Sequence, residues 1–371
     1  MARANIIIKN MGKNKKEDNK DGKKLKAPFA SLTTIRRFGI LIVTFIVAYL
    51  PDKTLGISST IRSIIIGVLL LVWLFLESAS LRLGSARKAL YKGQKEKGWK
   101  ALNNLVKHPV VPLSFDEKLQ IATMFIQHGE DPQIGIECLE KLLNKTKNEY
   151  NRIKAANSLS LGYYRQGNIE GAIDLLKNYY DDGITELGLL VNYSSFLLAN
   201  GESEKAFDVI LKGGNNIYIL DNLGVYYLVN GMHKEAIELY RKLYDNTQPR
   251  FVEFYIHAFQ SELYYQCKSK ALDRINTAFS CPRIMTSKFD KDYIEKLKKA
   301  IDNAADRNKV NASPALVAFG ESWTQSNGVY EHPCEEDIKY YNTETDDDCD
   351  YDIEEESDND AHEDESSEVK N

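Results

Sequence analysis

The chain has 371 residues, 43% of them hydrophobic, and a formal net charge of −5. That length holds one large or two ordinary domains, and that apolar fraction is normal for a globular protein. The cysteines (Cys138, Cys267, Cys281, Cys334, Cys349) are odd in number and form no C-x-x-C pair, which argues against a disulfide framework or zinc site and points to reduced thiols.

The small net charge hides two opposed ends. Met1 to Arg37 carries eleven Lys/Arg against Glu17, Asp18 and Asp21, while Glu344 to Glu368 carries fifteen Asp/Glu and no Lys or Arg. Residues 1–31 are expected to be a disordered basic segment resting on anionic lipid headgroups. Two apolar runs follow, "FGILIVTFIVAYL" (Phe38 to Leu50) and a second from about Leu55 to Leu76 that includes "IIIGVLLLVWLFL".

A helix needs roughly 20 residues to cross the hydrocarbon core. Extending the first run back to Leu32 brings in Arg36 and Arg37, and extending the second upstream brings in Arg62; all three are expected to snorkel to headgroups. The intervening "PDKTLG" is no small-residue cleavage site, so a signal peptide is disfavoured. The expectation is a two-helix transmembrane hairpin over residues 32–77. Eleven basic residues precede Phe38, seven lie from Arg82 to Lys100, and the loop Pro51 to Thr60 has only Lys53, which puts both termini in the cytoplasm.

From about Leu81 to Cys281 apolar residues recur at threes and fours, the period of a helix. Gly93, Gly129, Gly167, Gly201 and Gly231 are separated by 36, 38, 34 and 30 residues, a beat that suggests an array of helix pairs. "GNIEGAIDLL", "GESEKAFDVI" and "GMHKEAIELY" place Ala172, Ala206 and Ala236 five residues after the glycine, and Leu176, Ile210 and Tyr240 nine after. "QCKSKALDRI" keeps Ala271 and Ile275 without the glycine, and "GEDPQIGIEC" reads as holding a one-residue insertion. Seven places before the glycine stand Ala86, Ala122, Ser160, Ser194 and Gly224, and four before it Phe125, Tyr163 and Tyr227. Small side chains let antiparallel helices approach, glycine suits the turn between them, and the large residue fills the gap to the next pair.

This pattern resembles the tetratricopeptide repeat family over about half the chain. Gly224, Tyr227, Gly231, Ala236 and Tyr240 match its small, aromatic, turn, small and large positions, and Pro109, Pro249 and Pro282 lie within one place of its frequent proline. The resemblance implies an all-α chain, with a solenoid of about six helix pairs over residues 78–310 behind the hairpin. It also implies an adaptor whose concave groove binds a peptide or protein partner and which self-associates in some members. Tyr180, Tyr226 and Tyr264 stand outside the repeat positions and are read as packing residues more than groove lining.

Phe289 to Val310 reads as a last, strongly charged helix capping the array. Residues 311–371 are expected to be irregular, with Phe319 and Trp323 docking, and then an acidic disordered tail. "DDDCDYDIEEESDNDAHEDE" lacks the glycine an EF-hand loop needs, so no calcium site is expected there. None of the six histidines belongs to H-E-x-x-H, and no phosphate-binding glycine loop or G-x-S-x-G elbow occurs. His233 and Glu235 are expected at the exposed lip of a turn. No catalysis, cofactor, metal or nucleic acid is expected. The reading is a membrane-anchored cytoplasmic adaptor or scaffold; the alternative is a structural or assembly subunit of a larger membrane complex, with the hairpin as an interface.

Overall fold

The computed structural model describes residues 32–50, 54, 56, 58–107, 113–129, 131–264, 268–281, 289–306 and 340–341. These hold fourteen α-helices and one two-residue parallel strand pair. Helix α1 (Leu32–Tyr49) and helix α2 (Ser59–Tyr91) run antiparallel. Arg37 near the start of α1 donates to Ser80 Oγ at 2.8 Å, and Arg62 near the start of α2 donates to the Leu50 carbonyl at 3.0 Å. The Ser58 hydroxyl accepts from Ile61 N–H and starts α2.

Helix α2 has 33 residues and is therefore about 50 Å long. Its character changes partway. Up to Leu76 its apolar side chains are largely exposed, with Ile64 at 61% and Leu71 at 67%. Beyond that, Ala79, Leu83, Ala86 and Ala89 form a buried stripe. The expected division between residues 77 and 78 therefore falls inside one unbroken helix. Gly84 is the one helix-weakening residue nearby, and its cost of about 1 kcal/mol is too small to break a helix packed on both sides of it.

Six pairs follow: α2 with α3 (Lys95–Lys107), α4 (Phe115–His128) with α5 (Gln133–Lys145), α6 (Glu149–Arg165) with α7 (Ile169–Asp181), α8 (Leu187–Ala199) with α9 (Ser203–Lys212), α10 (Ile217–Val229) with α11 (His233–Thr247), and α12 (Val252–Tyr264) with α13 (Lys268–Ser280). From α4 to α12 each first helix also packs on the next first helix, and each second helix touches the first helix of the following pair. The result is a solenoid-like array. Helix α14 (Lys291–Asn303) closes it against α13 through Ile294, Leu297 and Ile301.

The turns inside four pairs share one geometry. Gly93, Gly167, Gly201 and Gly231 have φ between 69° and 80°. The residue after each glycine donates its N–H back to the first helix: Gln94 to Ala89, Asn168 to Tyr163, Glu202 to Leu197 and Met232 to Tyr227. This 6→1 bond around a left-handed residue ends a helix without orphaning its carbonyls, and glycine takes that conformation without strain. The second pair differs: Gly129 has φ −70°, and Gly135, one place later than in the other copies, takes the small position against the Ala122 carbonyl.

The small positions are packed shut. Ala172, Ala206, Ala236 and Ala271 have no exposed surface, and Leu176, Tyr240 and Ile275 beside them have 1% or less. In the sixth pair Phe259 stands where the other copies have a small residue and is fully buried. Helix α14 stops at Asn303, short of Val310, because Ala304 turns extended (φ −61°, ψ 134°). Ala305–Asp306 then pairs in parallel with Tyr340–Tyr341, a small departure from an all-helical chain. The expected basic segment 1–31, most of the loop 51–60, the docking of Phe319 and Trp323 and the acidic tail lie outside the described residues.

Candidate interaction surface on the stacked first helices

Nine places before the turn, the first helices of the second to sixth pairs carry Gln120, Ser158, Asn192, Asn222 and, counted from Gln266 in the sixth pair, His257. All are polar, although they sit only two residues from the closely packed small positions. Their neighbours at minus six or minus ten include Thr123, Asn157, Ser195 and Asp221. Together they form a ladder across the stack. Thr123 Oγ1 donates to Ser158 Oγ at 3.1 Å, Asn192 Nδ2 to Asn157 Oδ1 at 2.9 Å, and Ser195 Oγ to Asn222 Oδ1 at 3.1 Å. Asn222 Nδ2 donates to Ser194 Oγ and to the Val191 carbonyl, both at 2.8 Å. His257 Nδ1 meets Asp221 Oδ1 at 2.8 Å, and the Tyr240 hydroxyl donates to the Asp221 carbonyl at 3.0 Å.

Accessibility falls along this ladder. Gln120 is exposed, Thr123, Asn157, Ser158, Asn192 and Ser195 are half-buried, and Asp221, Asn222, His257 and Gln260 are buried. The open part therefore spans α4, α6 and α8. At its middle, Asn192 Nδ2 also donates to the Asn157 carbonyl at 3.3 Å. Both contacts engage Asn192 as donor and Asn157 as acceptor, so among the described residues Asn157 Nδ2 has no acceptor and Asn192 Oδ1 no donor. A side-chain amide has two donors and an acceptor oxygen, so the pair leaves one donor group and one acceptor oxygen free. Gly188 keeps the space beside them open: a Cβ there would lie 2.8 Å from Asn157 Nδ2.

The repeat-defining residues lie behind this surface and serve packing. Ser160 and Ser194 are fully buried and bond to carbonyls of their own helices. Tyr163 donates to Glu140 Oε1 at 3.1 Å. Tyr227 is fully buried, and burial followed by the Glu235 charge pushes its hydroxyl up to about 12. Gly224 faces the Tyr240 ring. Tyr180 packs on the Tyr193 ring at 5.2 Å and Tyr226 stacks on Phe207 at 4.7 Å, so both join helices; the Tyr264 side chain lies outside the described residues.

His233 departs from expectation. It is buried at 9% exposure at the first position of α11, and burial holds its imidazole near 4, well below the ordinary 6.5. Ala236 and Ile237, one turn on, are buried as well, so His233 lies on the core-facing side of α11. His128 is likewise lowered to about 4, by burial and then by the Arg165 charge. The Asp221–His257 pair is buried between α10 and α12. A second buried cluster sets Glu262 between Arg241 at 2.7 Å and Arg274 at 3.2 Å, with Arg274 stacked 3.7 Å over the Tyr244 ring. These groups clamp α11, α12 and α13 together.

Two open clefts lie between neighbouring pairs. One of about 510 Å³ is bordered by Lys147, Glu149, Arg152, Tyr179 and Asp182, and one of about 350 Å³ by Asp174, Lys177, Tyr193, Glu202 and Lys205. Among the described residues no three His, Cys, Asp or Glu side chains converge as metal ligands.

Where α1 and α2 meet the array, Arg37 pairs with Glu117 Oε1 at 3.3 Å and Glu77 Oε1 at 3.5 Å, and the Ser80 hydroxyl donates to Glu117 at 2.6 Å. Glu117 also closes the capping box of α4 with Ser114. Burial alone would raise the Glu117 carboxyl, but the Ser80 hydroxyl, Ser114 and Arg37 together hold it below the usual range. Arg37 is thus turned into the protein instead of outward, because two carboxylates and a hydroxyl are waiting there. Arg62 likewise turns to the Leu50 carbonyl; the Arg36 side chain lies outside the described residues.

Among the described residues, α2 is the one helix long and apolar enough to cross a membrane, with a mean hydropathy of 2.4 in its most apolar stretch and almost none of that stretch buried. The apolar part of α1, Arg37–Tyr49, is shorter. No family model matches the chain, and no curated protein matches it in sequence.

Proposed function

We propose that this chain is a membrane-anchored adaptor of the tetratricopeptide type. Helices α1 and α2 form a hairpin in the bilayer, and the array holds an extended segment of a partner protein on its first-helix face. The observation that carries the partner site is the Asn157–Asn192 pair. Its free donor and acceptor match the carbonyl and N–H that an extended backbone offers, and binding there replaces water on half-buried amides. The unpaired apolar surface of α2 supports the anchor, since exposed apolar patches of this size mark membrane or protein contacts. With basic residues on both flanks, the two termini and the array lie on the cytoplasmic side.

The test is a photo-crosslinking residue at Gln120 or Phe45 in the full-length chain, expressed in native membranes, with adducts identified by mass spectrometry. Adducts at Gln120 that disappear when Asn192→Ala is added support the adaptor reading; adducts that persist unchanged refute the role given to the amide pair. The short apolar stretch of α1, roughly 20 Å at 1.5 Å per residue against a core of about 30 Å, favours one further reading. In it the hairpin is covered by other membrane helices, and the chain is an assembly subunit of a larger complex. Adducts confined to Phe45 would select that reading.

A further inference from the structure

We infer that the first helix pair carries a binding face for anionic lipid headgroups, formed by Arg82 of α2 and the lysine stripe of α3. This inference rests on the membrane reading of α2. Lys97, Lys100 and Lys107 are exposed and fall at i, i+3 and i+10, with exposed Asn104 at i+7, so they line one side of α3. Arg82 is exposed on α2 next to Leu81, which is 63% exposed. None of these four cations makes an ion pair among the described residues. The carboxylates nearest the junction, Glu77 and Glu117, are turned inward onto Arg37, and Glu96 stands at the far end of α3. Glu96 stands one turn from Lys100, so the charge least offset is at the Lys107 and Arg82 end, nearest the apolar run.

Its height above the bilayer follows from the helix geometry. Gly98 of α3 lies against Ala86 and Leu90 of α2, and α3 runs back along α2. Lys107, nine residues further on, comes level with about residue 79 at 1.5 Å per residue. The exposed apolar run of α2 ends at Leu76. That places Lys107 about 5 Å and Arg82 about 9 Å beyond the end of the run, with Lys100 near 15 Å and Lys97 near 20 Å. The headgroup layer is about 5–8 Å thick on each side, and surface potential decays over about 8 Å at physiological salt. Lys107 therefore stands in the headgroup layer, Arg82 just beyond it, Lys100 within one screening length of it and Lys97 above that. Lipid is favoured over a nucleic acid because the charge begins where the exposed apolar surface stops.

The test uses the full-length chain in nanodiscs of phosphatidylcholine alone or mixed with phosphatidylserine. Lysines are modified with an amine-reactive reagent and their rates read by mass spectrometry, with exposed Lys141 and Lys205 as references. In phosphatidylserine discs Lys107 should react about fivefold more slowly, the factor for one basic residue near an anionic surface. Lys100 should slow less, Lys97 little, and raised salt should abolish the difference. In Arg82→Glu/Lys107→Glu the slowing at Lys100 should vanish. Equal rates in both lipids overturn the inference, as does protection of Lys107 by single-stranded RNA in phosphatidylcholine discs that matches or exceeds the effect of phosphatidylserine. Carbonate extraction of the same discs is read separately: release of the chain would sink the membrane anchor itself, whereas a retained chain with equal rates sinks only the headgroup face.

Discussion

Gly224→Ala puts one methyl group into one of the tight contacts of the array. A Cβ at this position would lie 2.4 Å from Tyr240 Cζ and 2.5 Å from its hydroxyl oxygen. The ring has little room to yield: it is 1% exposed, meets Phe254 edge-on at 5.5 Å, and is tied through its hydroxyl to the Asp221 carbonyl at 3.0 Å. Helix propensity alone would make the change favourable by about 1 kcal/mol. Against that stands overpacking, about 1–3 kcal/mol, and loss of a buried hydrogen bond, about 1 kcal/mol with more if the carbonyl is orphaned. The net expectation is a loss of roughly 1–3 kcal/mol, seen as a lower urea midpoint by circular dichroism of the full chain in detergent. Gly224→Ala combined with Tyr240→Leu should recover part of the loss, giving a favourable coupling energy between the two sites. A single variant as stable as the parent or more so would mean that propensity wins, and the account of close helix approach at this position would be wrong.

Other perturbations probe other links of the argument. Ala236→Trp, at a site with no exposed surface, should break the stacking of the fifth pair, and an unchanged melting curve would count against the repeat packing. Arg37→Ala leaves Glu77 and Glu117 facing each other without their cation; amide exchange over residues 114–120 should quicken about tenfold, equivalent to roughly 1.4 kcal/mol. His233 has a folded value near 4 against an ordinary 6.5. Its contribution is therefore intact above pH 6.5 and is lost as the pH falls toward 4, because only the unfolded chain takes up the proton in that window. The loss at pH 4 should be on the order of 3 kcal/mol, and His233→Gln should flatten the dependence of melting temperature on pH across the window. An identical pH dependence in the variant would refute the assignment.

The comb of glycines, alanines and large apolar residues makes the six pairs legible in the sequence alone. Each of those residues acts on its own turn or on the helix next to it in the chain, so its chemistry is written at fixed short spacing. The candidate surface was also partly visible: Gln120, Ser158, Asn192, Asn222 and His257 share one register, and a count of polar residues at minus nine would have found them. The tyrosines are the more conspicuous signal, but Tyr180 and Tyr226 join helices through aromatic contacts.

By itself the sequence determined the helical period, the turns, the close-packed positions and the long apolar stretch of α2. These depend on steric bulk, backbone freedom and hydropathy acting within one or two turns of helix. Only the tertiary structure decided which polar groups meet. Asn157 finds Asn192 35 residues away, and Arg37 finds Ser80 and Glu117 at separations of 43 and 80. It also decided that α2 passes without a break from exposed apolar surface into the array, and that His233 is buried. Such contacts depend on the angle and register at which whole helices stack, which is set by the sum of many side-chain fits and by no single local spacing.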